Sequence, residues 1–256
     1  MQLPGREADA FAPHRTRPTS RASFGIPMMP LSPDENASES PSERSEKAQR
    51  FVTYQGEHYA LVGELPQVDC PAPDFTVYAW LDARRISITL ADFLAEKKPL
   101  LLSVFASHDT PVSRLQAKII DNKLASFGGA ALGVHISSDL PFTINRAFRD
   151  EQLTSTVGVS DYYDRNFGRA YGVLLDDSAV LARAIFVIDG DGILRHVQVP
   201  KNISSEPNYD LAIKIVGWLI DRSSRTEEEA AGDSGDDPGH LTEEAVSLGG
   251  PDPSDN

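Results

Sequence analysis

Alternating runs of apolar and polar residues divide residues 51–221 into short strands and helices. PLLLSVF (99–105) and ALGVHIS (131–137) are nearly continuous apolar runs of strand length, which is typical of strands buried on both faces. A predicted helix follows each run, over about 111–126 and over 141–153. Because parallel strands need crossover connections of about this length, this order predicts a parallel core for the sheet.

The remaining pattern predicts the elements around this core. FVTYQGEHYALVG predicts a β-hairpin around Gly56, DFTVYAW predicts a strand, and TLADFLAEK predicts a helix with Thr89 as its N-cap. TVGVSD, LARAIFVID and ILRHVQV predict three more strands, and residues 208–221 predict a closing amphipathic helix. Together these elements predict a three-layer α/β fold with a mixed central sheet and an N-terminal β-hairpin.

The ends of the chain differ from this middle part. Residues 1–48 are rich in Pro, Ser, Arg and Glu, and residues 222–256 hold ten acidic against two basic residues. Such segments bury too little apolar surface to offset the entropy of ordering, so we predict a disordered N-terminal tail, one domain at 49–221 and an acidic disordered C-terminal tail. The net charge of −14, with no basic stripe, argues against nucleic acid as a partner.

Targeting signals and metal motifs are missing from the sequence. No apolar run approaches the roughly 18 residues of a membrane span, and the N-terminus has no secretory apolar core, so we expect a cytoplasmic protein that does not bind membranes. The only cysteine is Cys70, which rules out an internal disulfide. The histidines form no metal-ligand spacing, and we predict neither a metal nor a cofactor.

The stretch SHDTPVSRLQ (107–116) lies where a buried strand meets a helix N-terminus. Thr110 is suited to be the N-cap and Pro111 to be the first helical residue, which places Ser113 in the first turn. Unpaired backbone N–H groups and the positive end of the helix dipole stabilise anions at such a place.

Several short stretches, in order along residues 51–221, carry a resemblance to a known family. They are the pattern G-x-x-x-x-L-x-G-x-x-P from Gly56 to Pro66, APDF (72–75), VFASHDTPVS (104–113), ISSDLPF (136–142), AYGV (170–173), LARAIFVID (181–189) and SSEPNYDLAI (204–213). In these stretches the chain resembles the thiol peroxidases, the atypical two-cysteine branch of the peroxiredoxins. The resemblance implies a thioredoxin-like fold and a homodimer.

The resemblance also assigns positions to the reacting groups of the family. Its peroxidatic cysteine corresponds to Ser113, its conserved threonine and arginine to Thr110 and Arg183, and its resolving cysteine to Phe148. Peroxide reduction oxidises a thiolate to a sulfenic acid, which a serine oxygen cannot become. We therefore predict a homologue that has lost peroxidase activity, a pseudoenzyme. The alternative is an active thioredoxin-dependent peroxidase that reduces hydrogen peroxide or alkyl hydroperoxides.

Other roles for these residues remain open. Ser113 could satisfy N–H groups of the first helical turn, and Thr110 and Arg183 could still bind a small polar or anionic ligand. A buried Arg183 needs a partner, for which Asp109 is one candidate. A hydrolytic triad of Ser113 with His108 and Asp109 is disfavoured, because neighbours in one tight loop rarely reach that geometry. Cys70 is predicted to be a spare thiol.

Overall fold

The computed structural model describes residues 49–232, with side chains to residue 225. The strands are β1 (Phe51–Tyr54), β2 (Glu57–Val62), β3 (Thr76–Leu81), β4 (Arg84–Thr89), β5 (Leu100–Phe105), β6 (Leu132–Ser137), β7 (Thr156–Ser160), β8 (Leu174–Leu175), β9 (Ala184–Ile188) and β10 (Leu194–Gln198). The helices are α1 (Leu90–Phe93), α2 (Pro111–Ala125), α3 (Pro141–Asp150), α4 (Asn166–Ala170) and α5 (Tyr209–Gly232).

Seven strands form the central sheet, in the order β10-β9-β5-β6-β7-β3-β4. β5, β6 and β7 are parallel, while β9, β10, β3 and β4 join antiparallel to their neighbours. The crossover helix α2 joins β5 to β6, and α3 joins β6 to β7. The sheet is therefore mixed with a parallel core, as the sequence predicted.

Both faces of the sheet are covered, which gives three layers. On one face Leu101 packs in a cluster with residues of α2 and α5, including Ile120 and Val216. On the other face Leu102, one residue along β5, joins a larger cluster that includes Phe75 and Tyr171. Because successive side chains of a strand point to opposite faces, a strand buried on both faces has to be apolar nearly throughout. The six residues of β5 are all buried.

The N-terminal hairpin forms as predicted, with β1 and β2 antiparallel and a turn at Gln55 and Gly56. Both turn residues have positive φ, 51° and 90°, which suits a two-residue hairpin turn and explains the glycine. This hairpin pairs with β8 in a separate three-stranded sheet. The observed architecture confirms the predicted thioredoxin-like α/β class.

Several sequence predictions need correction. The helix predicted over 89–97 is only the single turn of α1, although Thr89 caps it in a capping box with Asp92. The preceding strand β4 was missed, although its residues from Ile86 to Thr89 alternate apolar and polar side chains. The short elements α4 and β8 were also missed.

The end of the last helix was also predicted too early. α5 continues from the predicted end at Asp221 to Gly232, because Arg, Glu and Ala in that stretch favour a helix and no proline interrupts them. The predicted tail over 1–48, and the part of the other tail beyond Gly232, lie outside the described residues. Within the described part of the chain, no helix is long and apolar enough to cross a membrane.

Candidate functional site

The end of β5 leads through a short loop into α2, and Thr110 caps this helix as predicted. Its backbone is extended, and its Oγ1 accepts a hydrogen bond from the backbone N–H of Ser113 at 3.3 Å. Pro111 occupies the first helical position, where a missing N–H does not matter. Helix α2 therefore begins with its unpaired N–H groups directed at this loop.

Ser113 lies in the first turn of α2 and is only 1% exposed. Its Oγ is 2.7 Å from Oγ1 of Thr110, so the two hydroxyl groups share a hydrogen bond. The structure thus brings together two of the predicted site residues. It also shows that Ser113 receives its polar contact from the N-cap residue.

Arg183 is 7% exposed and precedes β9, from which it reaches α2. Its Nε donates a hydrogen bond to the carbonyl oxygen of Ile203 at 2.9 Å, and its Nη1 donates to Oε1 of Gln116. Burial lowers the pKa of its guanidinium from the usual value. Asp109, the carboxylate suggested by the sequence, is exposed and is not among these partners.

Gln116 connects this arginine to the site. It is fully buried one helical turn after Ser113, on the same face of α2, and its Nε2 donates to Oγ of Ser103 on β5 at 2.8 Å. Sequence reasoning missed this residue. The signal was its spacing of three from Ser113, which places both side chains on the inner face of the helix. Thr110, Ser113, Gln116 and Arg183 form what we call the polar pocket.

Asp139 holds the loop before α2 in place. Its carboxylate accepts hydrogen bonds from Oγ of Ser107 at 2.7 Å, from the backbone N–H of His108 at 2.7 Å and from Oγ of Ser137 at 2.9 Å. Asp139 lies within the ISSDLPF stretch that carries the resemblance. That stretch therefore has a structural role, because the carboxylate of Asp139, just after β6, holds the loop between β5 and α2.

Phe148 lies on α3 and is separate from the polar pocket. Its ring is 5.3 Å from the ring of His108 and 5.5 Å from that of His135, and both histidine rings also pack near Phe105. We call Phe105, His108, His135 and Phe148 the aromatic cluster. Each of these side chains is at most 6% exposed, so the position assigned to the resolving cysteine is part of the core.

The histidines of the aromatic cluster carry unusual electrostatics. Burial, and secondly the neighbouring His108, lower the pKa of His135 to about 3. Neither ring nitrogen of His135 has a hydrogen-bond partner among the described residues. Nε2 of His108 lies 3.3 Å from Oε1 of Glu151, which directs this ring toward the end of α3. His108 is therefore not placed as a base for Ser113, and the triad stays disfavoured.

Cys70 is exposed and lies at the opposite end of the sheet from Ser113. Its carbonyl oxygen accepts from the N–H of Leu194, which pairs with Ile188, which in turn pairs with Leu100 at the start of β5. Helix α2 begins after the other end of that six-residue strand, roughly 17–20 Å away along the strand direction. The single thiol therefore lies far from the polar pocket.

Comparison with known proteins assigns this arrangement to a family. The Redoxin family model matches residues 67–213, which span the described sheet and both of the clusters above. The chain belongs to the Redoxin family. A peroxiredoxin-like protein from Aquifex aeolicus has a similar structure, with a TM-score of 0.59 and 29% identity over 66% of this chain and 97% of that one.

Two relatives narrow the class further. The thiol peroxidase of Streptococcus parasanguinis is 35% identical over 169 residues, which cover 66% of this chain and 99% of the relative. That of Mycobacterium tuberculosis is 36% identical over 169 residues, or 65% of this chain and 98% of the relative. Within the Redoxin family, the chain therefore belongs with the thiol peroxidases.

Proposed function

We propose that this thiol peroxidase homologue does not reduce hydroperoxides and acts as a pseudoenzyme through binding. The observation that carries the proposal is Ser113, a hydroxyl at the buried first turn of α2 where the family resemblance expects the reacting thiol. The polar surroundings of that position, Thr110 and Arg183, are still present and hydrogen-bonded to α2.

The chemistry of the missing step supports this proposal. In that step a thiolate sulfur attacks the O–O bond and becomes a sulfenic acid, while the second oxygen leaves as an alkoxide or hydroxide. An alcohol oxygen cannot be oxidised in this way. Ser113 also has no activating base, since its hydroxyl contacts Thr110 and the ring of His108 faces Glu151.

Neither of the other positions offers a substitute for the missing sulfur. Phe148 fills the position of the resolving cysteine with an aromatic ring. Cys70 lies at the far end of the sheet, where it cannot share the polar pocket with a bound peroxide. Both partners of the disulfide cycle are therefore replaced.

The polar pocket supports a small anionic or polar ligand as the bound species. A guanidinium is held against the first turns of α2, whose N–H groups and dipole favour negative charge. We expect inorganic phosphate or acetate to raise the melting temperature of the protein. Arg183→Lys keeps the positive charge but loses the planar guanidinium that binds anions through two N–H groups, so it should reduce that increase. Arg114→Lys, at an exposed position, should leave the increase unchanged.

The assembly and the location of the chain stay predictions. We propose a homodimer on the family resemblance, to which exposed Phe142, Tyr162 and Tyr163 add apolar surface on the described part of the chain. Sedimentation should give the mass of two chains, and a mass of one chain would contradict the proposal. The cytoplasmic location is likewise a proposal, to be checked by fractionating cells.

The decisive experiment measures hydroperoxide consumption with added dithiothreitol. We expect no turnover by the native chain and measurable turnover by Ser113→Cys in a Cys70→Ser background, because the helix N-terminus and Arg183 then stabilise a thiolate. The matched control is Leu115→Cys in the same background, which places an exposed thiol on the same helix outside the pocket. This control should remain near the uncatalysed rate.

The competing function is an active thiol peroxidase, which the names of the relatives favour. Turnover by the metal-free native chain would establish it and overturn the pseudoenzyme. If Cys70→Ser then abolished that turnover, the exposed cysteine would be the reacting group. Equal rates for Ser113→Cys and Leu115→Cys would show instead that the polar pocket no longer activates a thiol.

A further inference from the structure

A groove opens between β3 and β7, away from the polar pocket. The two strands share a single residue pair, Tyr78 with Ser160, and their remaining residues diverge. The opening has a volume of about 500 Å³, and we call it the β3–β7 groove. Its apolar lining includes Trp80, Leu81, Ile86, Phe148, Leu153 and Val157.

Large apolar side chains of this groove are exposed. Leu81 is 57% exposed, Val157 is 43% exposed and Ile86 is 36% exposed. A second opening of about 540 Å³ shares Phe93 and Leu132 with it and continues to Gly128. An exposed apolar surface of this kind is typical of a surface that a partner covers.

The rim of the β3–β7 groove carries one charged lining residue, the basic Arg149, although the chain as a whole carries a net charge of −14. Arg149 lines the groove from α3, and its only ion-pair contact among the described residues is a weak one to Asp150 at 3.8 Å, both side chains being exposed. Outside the lining, Arg146 lies one turn earlier on the same helix, and Arg84 pairs with Leu81 across the hairpin, whose turn also holds the exposed Asp82. An acidic segment with apolar side chains would complement this rim.

We propose that residues 241–248 of this same chain, LTEEAVSL, occupy the β3–β7 groove. The segment lies in the chain beyond the described residues, and its apolar Leu241, Ala245 and Leu248 recur at i, i+4 and i+7. Glu243 and Glu244 lie between them and supply the charge that the basic rim lacks. This is the pattern by which an amphipathic helix binds an apolar groove.

The chain beyond Gly217 is long enough to fold back toward the second opening. A Cβ built on Gly217 of α5 would lie 3.6 Å from the ring of Phe127, next to Gly128 at the end of the second opening. From Gly217 the helix runs on to Gly232, which adds about 22 Å. Residues 233–240 then span up to roughly 26–29 Å when extended, more than the helix adds, so the chain can return at least to the second opening, which shares Phe93 and Leu132 with the β3–β7 groove.

Disulfide trapping in the full-length chain tests this proposal. With Cys70→Ser removing the native thiol, Ala245→Cys is combined with Val157→Cys inside the groove or with Leu115→Cys on α2. Val157 and Leu115 are similarly exposed, at 43% and 48%, so the pairs differ chiefly in position. We expect an intramolecular disulfide to form about tenfold faster with Val157→Cys, because docking raises the local concentration of the tail.

Charge reversal then separates specific docking from chance collision. Glu243→Lys with Glu244→Lys should slow the Val157→Cys disulfide toward the Leu115→Cys rate, and Arg149→Glu should restore part of it. Equal rates at the two positions in the first experiment, or no disulfide at either, would overturn the proposal. Disulfides formed between chains would assign the groove to a second copy, which also overturns it.

Discussion

The two positions that the resemblance assigns to redox cysteines have different surroundings in this structure. Around Ser113 the side chains are polar and connected, from Thr110 through Gln116 to Arg183. Around Phe148 they are rings, and the buried nitrogens of His135 have no partner among the described residues. Ser113 belongs to α2 and Phe148 to α3, the two crossover helices of the sheet.

The two positions therefore differ in what a cysteine would contact there. In the polar pocket, a cysteine in place of Ser113 would lie at the helix N-terminus beside its cap Thr110, near the turn that Arg183 contacts through Gln116. In the aromatic cluster the position has become part of the core, so that a cysteine there would leave a cavity. We therefore expect one substitution to restore the first step and no single substitution to restore the full disulfide cycle.

The largest expected effect is on the aromatic cluster. Phe148→Ala should lower the free energy of unfolding by about 3–5 kcal/mol, because it removes a buried ring packed against two histidines. Phe142→Ala, on the same helix but 50% exposed, should cost less than about 1 kcal/mol. Urea unfolding measures both losses of unfolding free energy. Similar losses for the two variants would contradict the inference that Phe148 is part of the core.

The next effect concerns Arg183 in the polar pocket. Arg183→Met should cost about 2–3 kcal/mol, since it leaves the carbonyl of Ile203 and Oε1 of Gln116 without their charged donor. Arg114→Met, at an exposed position of α2, should change stability by less than about 0.5 kcal/mol. A loss as small as that of the control would show that these hydrogen bonds do not hold the pocket together.

A pH dependence distinguishes the aromatic cluster from the polar pocket. His135 has its pKa lowered to about 3 by burial, so below about pH 6.5 the unfolded chain takes up a proton that the folded chain does not. The folded state should therefore lose stability as the pH falls from about 6.5 toward 3, by up to about 1.4 kcal/mol per pH unit. His135→Leu should remove this part of the slope.

Unfolding of the native chain and of His135→Leu between about pH 4.5 and 6.5 measures the difference. Asp161, whose pKa burial raises to about 7, titrates in both proteins and cancels from the comparison. Phe142→Leu, at an exposed position of α3 with no titratable group, serves as the control and should keep the native slope. An unchanged slope in His135→Leu would mean that this histidine is protonated in the folded protein.

The smallest effect is expected at Ser113 itself. Ser113→Ala should cost about 0.5–1.5 kcal/mol, because it removes only the hydrogen bond to Oγ1 of Thr110 and leaves the cap to the backbone N–H intact. Thr110→Ala should cost at least as much, since it removes both contacts. Chemical denaturation would contradict this order if Ser113→Ala proved the more damaging variant.

Much of the fold was predictable because local patterns determine it. The buried run of β5, the cap at Thr110 and the turn at Gly56 depend on neighbouring residues, and all three form as predicted. Strand β4 was missed although Ile86 to Thr89 alternate, because a four-residue alternation at a largely exposed edge of the sheet is a weak local signal. Of the polar pocket, Thr110 and Ser113 were predicted. The spacing of Gln116 from Ser113 indicates its face of the helix, but its contact with Arg183, from a distant part of the chain, could not be predicted.

The sequence by itself determined which reactive atoms the protein has, namely a hydroxyl at Ser113 and a single thiol, at Cys70. Only the tertiary structure decided that Arg183 reaches α2 through Gln116, that Phe148 packs between two buried histidines, and that Cys70 lies at the other end of the sheet. The physical reason is the sequence separation of the residues in contact. Atom types and local caps follow from adjacent residues, whereas these contacts join residues that only the folded sheet brings together.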